Sequence, residues 1–223
     1  MSHNTLTMLG TGNAIVTRCY NTCFVLSTET SRCLVDAGGG NGVLSQLEKA
    51  GIDLSPLHDM FVTHAHTDHI LGAVWVVRMI INRMKSGRYE GAFTVYGHDK
   101  VLTVLDWICR MTLSAKDRAY LGNGVLFHEV KDKERFEVGD MQFQCFDILS
   151  TKEKQFGFQV ALPGGQRLVC LGDEPYNPAC AAYVGGADWL LCEAFCLYED
   201  RERFKPYEKH HSTVKDACEL AQG

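Results

Sequence analysis

The sequence predicts a layered α/β domain. Strand-like and helix-like segments alternate along nearly the whole chain. The strand-like segments are short and apolar and end at glycine, proline or polar turns, while the helical stretches between them carry one apolar face. Mixed strands with helices between them bury their apolar faces by stacking in layers. At 223 residues the chain is long enough for a sizeable core, and it reads as one domain spanning 1–223.

The elements follow in order. Leu6–Leu9 is a short strand closed by Gly10-Thr11-Gly12, and Cys23–Thr28 and Cys33–Asp36 are two more strands. Gly38, Gly39 and Gly40 lead into a helix over Asn41–Ala50, with Asn41 as the N-cap and Gly51 as the stop. The run Met60-Phe61-Val62 reads as a buried strand, and Ile70–Met84 as an apolar helix. Phe93–Tyr96 is a strand, and Asp99–Met111 a helix with Val101, Leu102, Leu105 and Ile108 on one face. Val125–Val130 is strand-like. Arg135–Val138 and Met141–Ile148 flank Gly139-Asp140 as a hairpin, and Phe156–Leu162 and Arg167–Leu171 form a second around Pro163-Gly164-Gly165. Asp188–Ala194 is a strand, and Val214–Ala221 a helix capped by Ser212 or Thr213.

Composition removes some classes of function. The net charge of −5 supplies no global basic field for nucleic acid or anionic membrane. The opening residues Met1–Asn13 show no cationic start and no apolar run, so no signal peptide is expected. The longest apolar stretch, Ile70–Ile81, is interrupted by Arg78 and too short to span a bilayer. Ten cysteines are present without any Cys-x-x-Cys pair. Cys33, Cys145, Cys170 and Cys192 lie in apolar strand-like runs, as buried thiols do in a reducing cytoplasm.

The chemistry is concentrated in His64-Ala65-His66-Thr67-Asp68-His69. Four potential metal ligands occupy six residues between a strand and a helix. On an extended segment the alternating His64 and His66 converge on one ion. Asp68 and His69, where the chain turns into the helix, reach a second. Imidazole and carboxylate suit zinc, with iron or manganese as alternatives. Leu171-Gly172-Asp173 places another carboxylate after an apolar strand, and His210-His211-Ser212-Thr213 opens the last helix. Helix N-termini accept anions such as phosphate.

His64, His66, Asp68 and His69, with Asp173 and His211-Ser212-Thr213, resemble the signature of the metallo-β-lactamase superfamily, and of its ribonuclease Z branch in particular. Leu9-Gly10-Thr11-Gly12 and Leu34-Val35-Asp36-Ala37-Gly38 resemble the same branch. The resemblance implies a four-layer αββα sandwich. It implies two zinc ions, one held by His64, His66 and Asp173 and the other by Asp68, His69 and a bridging Asp173. Asp36 would orient the site from behind the ligands. Asp68 would also direct the attacking hydroxide, and His211 would assist proton transfer at the scissile phosphate.

Two departures from the family pattern shape the expectation. A further metal-binding histidine is expected near position 149, where this chain has Leu149. Another is expected on a strand beyond the His-Ser-Thr helix, and the sequence ends at Gly223, so the sandwich is expected to lack its last strand. One metal in place of two is the corresponding alternative. His98 and His128 are weaker substitute ligands. The resemblance thus implies a cytoplasmic metal-dependent hydrolase with a phosphodiester substrate, tRNA or a small nucleotide, and a homodimer as in relatives. Hydrolysis of another ester or thioester, and a degenerate member that binds metal or ligand without catalysis, are the alternatives. Between Leu149 and Asp173 there is room for a hairpin but not for a tRNA-gripping arm. Arg78, Arg83, Lys85 and Arg88 form a local basic stretch that reads as a solvated helix face.

Overall fold

The computed structural model describes residues 3–222. The first sheet takes β1 (Thr5–Gly10), β2 (Cys23–Ser27), β3 (Arg32–Val35), β4 (Asp59–Phe61), β5 (Phe93–Gly97) and β6 (Val125–Glu129), side by side in chain order. β1, β2 and β3 pair antiparallel, and β3 to β6 pair parallel. Parallel neighbours need crossovers. These are α1 (Gly42–Lys49), α2 (Thr67–Lys85) and α3 (Asp99–Thr112), the last followed by the single turn α4 (Ala115–Arg118).

The second sheet contains β7 (Arg135–Val138), β8 (Met141–Asp147), β9 (Phe156–Ala161), β10 (Arg167–Cys170) and β11 (Trp189–Leu191), in the order β11-β10-β9-β8-β7. Both expected hairpins form. Val138 pairs with Met141 across a two-residue turn whose first residue, Gly139, has φ 58°, the position where such turns call for glycine. The short helices α5 (Ala181–Val184) and α6 (Arg201–Phe204) and the terminal α7 (Val214–Gln222) complete the fold.

Side-chain alternation produces the layers. Val25, Leu34, Met60 and Val95 point to α1, α2 and α3 and join one core with Leu47, Val76, Ile80 and Leu105. Their neighbours Phe24, Val35, Phe61 and Tyr96 point the other way, onto Phe143, Phe158, Val160 and Leu168 of the second sheet. The outer face of that sheet packs Phe146 and Val169 against Tyr183 of α5 and Leu220 of α7. The order is therefore helix, sheet, sheet, helix, the expected αββα sandwich. Phe61, Phe143 and Phe158 are fully buried between the sheets, each worth roughly 1.5–3 kcal/mol of transfer free energy.

Some boundaries shift. Helix α2 begins at Thr67, not Ile70, so Asp68 and His69 lie inside its first turn. Asn41 holds the N-cap position of α1, but its side chain makes no capping bond. At the other end Gly51 (φ 68°) does terminate the helix: Gly51 N–H bonds Glu48 O and Ile52 N–H bonds Leu47 O, a Schellman ending. Of the two candidate caps for α7, Thr213 serves: it exchanges hydrogen bonds with Asp216 in a capping box. The terminal strands run shorter than their apolar patterns, Trp189–Leu191 within the expected Asp188–Ala194. No described helix is long and apolar enough to cross a membrane.

Two contacts position the loops that matter. Gly72 of α2 lies so close to the β3–α1 loop that a Cβ there would stand 1.8 Å from Ala37 O. Gly72 N–H donates to Gly38 O and Ala37 N–H to His69 O, which locks the first turns of α2 to that loop. Between the sheets, Phe156 N–H donates to Thr63 O at 3.1 Å. The residues after β4 are thereby tied to the start of β9.

Candidate metal centre

The chain leaves β4 through Val62, Thr63, His64 and Ala65 and enters α2 at the N-cap His66 (φ −67°, ψ 150°). His66 makes no side-chain capping bond, so its imidazole is free for other work. His64, Asp68 and His69 are buried. The rings of His64 and His66 lie 4.6 Å apart, and those of His64 and His69 4.1 Å apart.

Asp36 sits just past β3 at φ 54°, a left-handed conformation that aspartate tolerates better than most residues. Its Oδ1 accepts Thr63 N–H at 2.8 Å. Its Oδ2 accepts Thr63 Oγ1–H at 2.9 Å and His69 Nδ1–H at 2.8 Å. Thr63 Oγ1, its proton committed to Asp36, is left to accept from His64 Nδ1 at 2.8 Å. In its neutral form each histidine thus keeps its proton on Nδ1, which leaves the Nε2 lone pair for a cation to take. His64 Nε2 is buried and has no hydrogen-bond partner in the protein. A buried polar atom without a partner costs free energy, and a cation would supply one.

Asp173 comes from the second sheet. Gly172 takes φ 79°, and Asp173 N–H donates to Oε1 of the buried Gln155 at 3.0 Å. That turn brings the carboxylate to the histidines. His64, His66 and Asp173 form one group whose ligand atoms lie within 4.8 Å of one another, and Asp68, His69 and Asp173 form a second. Asp173 belongs to both. The donor set of imidazoles and carboxylates suits a divalent transition metal.

Electrostatics follow from the burial of these like and unlike charges. Burial depresses protonation of His64, and the neighbouring His69 and His66 add to it. Burial acts the same way on His69, but Asp36, Asp173 and Asp68 outweigh it and raise its pKa to about 9. Burial raises the Asp173 carboxyl, against the opposing pull of His69 and His211.

His211 lines a cavity of about 280 Å³ that reaches His69 and Asp173 and is also lined by Asp36, Glu193 and Phe195. Its Nδ1 faces Glu193 Oε2 at 3.4 Å, and its ring stacks on Phe195 at 4.9 Å with planes 12° apart. Glu193 is held by Ser212, whose N–H donates to its Oε1 at 2.6 Å. Neither Thr63, Gln155, Glu193 nor Phe195 was singled out in the sequence. The signal for Glu193 was a carboxylate closing an apolar strand.

The remaining candidates lie elsewhere. Leu149 is exposed, with φ 60°, and offers no ligand atom. His98 is buried against Phe156 with Nδ1 beside Asp99, and His128 pairs with Glu134; neither belongs to a ligand group. Arg83 pairs with Asp53, Lys85 with Asp117, and Arg78 covers Trp75.

Two sandwiched sheets with a histidine–aspartate cluster at their seam define a protein of the metallo-β-lactamase fold. The same fold is found in the short form of human tRNase Z (ELAC1), with a TM-score of 0.76 and 20% identity over 100% of this chain and 88% of that one. It is found too in the metallo-β-lactamase fold protein YhfI from Bacillus subtilis, with a TM-score of 0.75 and 17% identity over 97% and 80%. Within that class the chain belongs to the anti-Pycsar protein Apyc1 family, whose model matches residues 4–220. It is also similar to the ribonuclease Z of Pyrobaculum aerophilum, 27% identical over 97% of this chain and 82% of the relative.

Proposed function

We propose that this chain is a metal-dependent phosphodiesterase. The observation that carries the reading is the pair of three-residue ligand groups sharing Asp173, with His211 lining the cavity that reaches His69 and Asp173. His64, His66 and Asp173 would hold one ion, and Asp68, His69 and Asp173 the other, with zinc expected and iron or manganese as alternatives. Such ions supply Lewis acidity, which acidifies water and offsets charge on phosphoryl oxygens.

The chain's own groups do the rest. Asp36, directly and through Thr63, fixes the orientation of His69 and His64. Asp68 directs the attacking nucleophile from its place beside His69. His211 delivers a proton from Nε2 to the leaving oxygen, while Glu193 at its Nδ1 side stabilises the cationic ring.

The cavity of about 280 Å³ favours a small phosphodiester such as a cyclic nucleotide, because it matches the low end of small-molecule sites. The commitment of Arg83 and Lys85 to other partners points the same way. An RNA substrate is the second reading, favoured by the relatives named ribonuclease Z.

The test is metal content per chain after chelator-free purification, with hydrolysis of bis(p-nitrophenyl) phosphate and a 3′,5′-cyclic nucleotide on the same sample. Bound metal and turnover that a chelator abolishes are expected. No turnover after loading with zinc, iron or manganese would overturn the reading in favour of a binder without catalysis.

A further inference from the structure

The loop between β8 and β9 carries Lys152, Glu153 and Lys154 in succession. Glu153 pairs with Lys100 at 2.5 Å and Lys154 with Asp99 at 2.5 Å, both on the first turn of α3. Ser150 organises the turn: its Oγ accepts from Lys152 N–H and Glu153 N–H and donates to the buried Glu174 at 2.6 Å. With its neighbours clamped to α3, Lys152 extends the other way. Its Nζ donates to His210 O at 3.2 Å and stands 3.5 Å from His211 Nε2. His210 has φ 59° and ψ 52°, so the carbonyl that receives Lys152 belongs to a residue in a left-handed conformation.

Lys152 makes no salt bridge among the described residues, although Asp173, Glu174 and Glu193 all lie around the same His210–His211 turn. An ammonium held by a carbonyl and close to His211 has room in its coordination for an anionic oxygen.

We propose that Lys152 is a substrate-contacting residue that binds a non-bridging phosphate oxygen beside His211. The inference rests on the phosphodiesterase reading and adds to it a cation from the protein itself. From its place beside His211, Lys152 would bring positive charge to the substrate without binding metal. It stabilises the charge that grows on the phosphoryl oxygens in the transition state.

The experiment compares the metal-loaded full chain with Lys152→Met and Lys152→Arg. It reads metal per chain, calorimetric binding of inorganic phosphate, and steady-state hydrolysis of bis(p-nitrophenyl) phosphate. For Lys152→Met, about tenfold weaker phosphate binding and a kcat/KM lower by about tenfold or more are expected, with metal content unchanged. Lys152→Arg keeps the charge and is expected to restore most of both. Phosphate binding in Lys152→Met equal to that of the parent would overturn the proposal. So would a loss of metal or fold in Lys152→Met that Lys152→Arg shares, since the lysine would then act through the structure. A parent chain that turns over while Lys152→Met matches it removes this inference alone. A parent without metal-dependent turnover, whose phosphate binding still needs Lys152, removes the phosphodiesterase reading and leaves the anion contact standing.

Discussion

Asp36 Oδ2 and His69 Nδ1 meet at 2.8 Å across the junction of β3 and α2, and both residues are buried. The same oxygen takes the Thr63 hydroxyl, so one carboxylate sets the orientation of His69 directly and of His64 at one remove. Asp36→Asn keeps the size and the tolerance for positive φ but removes the charge. Metal affinity is expected to fall about 10–100-fold, read by competition with a chromophoric chelator. Unaltered affinity would show that the histidines need no such support.

Leu149→His tests the expectation that a metal-binding histidine belongs at or near this position. Leucine at φ 60° is an uncommon choice and histidine is better tolerated there, so the fold is expected to hold. Tighter metal binding at the His64 pocket and faster turnover are the expected gains. Metal content and rate both equal to the parent's would place the missing ligand elsewhere.

Gly72→Ala tests the lock between α2 and the β3–α1 loop. The added methyl would meet a backbone oxygen, which cannot rotate away. Destabilisation of about 1–3 kcal/mol or more is expected in chemical denaturation, together with weakened metal binding, since Asp68 and His69 ride on the same helix turn. A fully stable variant would mean that α2 slides without cost.

Asp59, at the start of β4, gives a pH prediction remote from the metal ligands. Burial raises its pKa from 3.8 to about 6, only partly opposed by a hydrogen bond from Tyr96. A carboxyl raised in the folded state penalises folding once it must ionise. The penalty is absent below about pH 4, grows between pH 4 and 6 and is complete above 6. Asp59→Asn is therefore expected to stabilise the chain at pH 7–8 by up to about 3 kcal/mol and to change little at pH 4. Denaturation midpoints at the two pH values decide it; equal effects at both would remove ionisation as the cause.

Much of this fold was legible because short apolar runs and the turns that bound them are local signals. Gly51 and Gly139 announced their turns, whereas the two apolar faces carried by Val25 and Phe24 emerge only in the packed sheets. The metal-ligand cluster was legible for a similar reason: four of its members are neighbours in sequence. What the sequence could not display was whatever depends on distant segments meeting. Thr63 looks like one more strand residue until Asp36 approaches it, and Glu193 acquires meaning only beside His211. Asn41 had the right chemistry for a cap, but its side chain makes no such bond, and helix α2 started earlier because His66 takes the extended N-cap conformation.

The centre is divided between the two sheets: the histidines and Asp68 follow β4, while Asp173, Glu193 and His211 come from the second half of the chain. Neither half holds a complete ligand group, since both groups need Asp173. Competence therefore requires both halves together, joined across the seam where Phe156 bonds to Thr63. An ion bridging the seam would in turn act as a rivet, so that extracting it should loosen the sandwich between its layers before either layer melts.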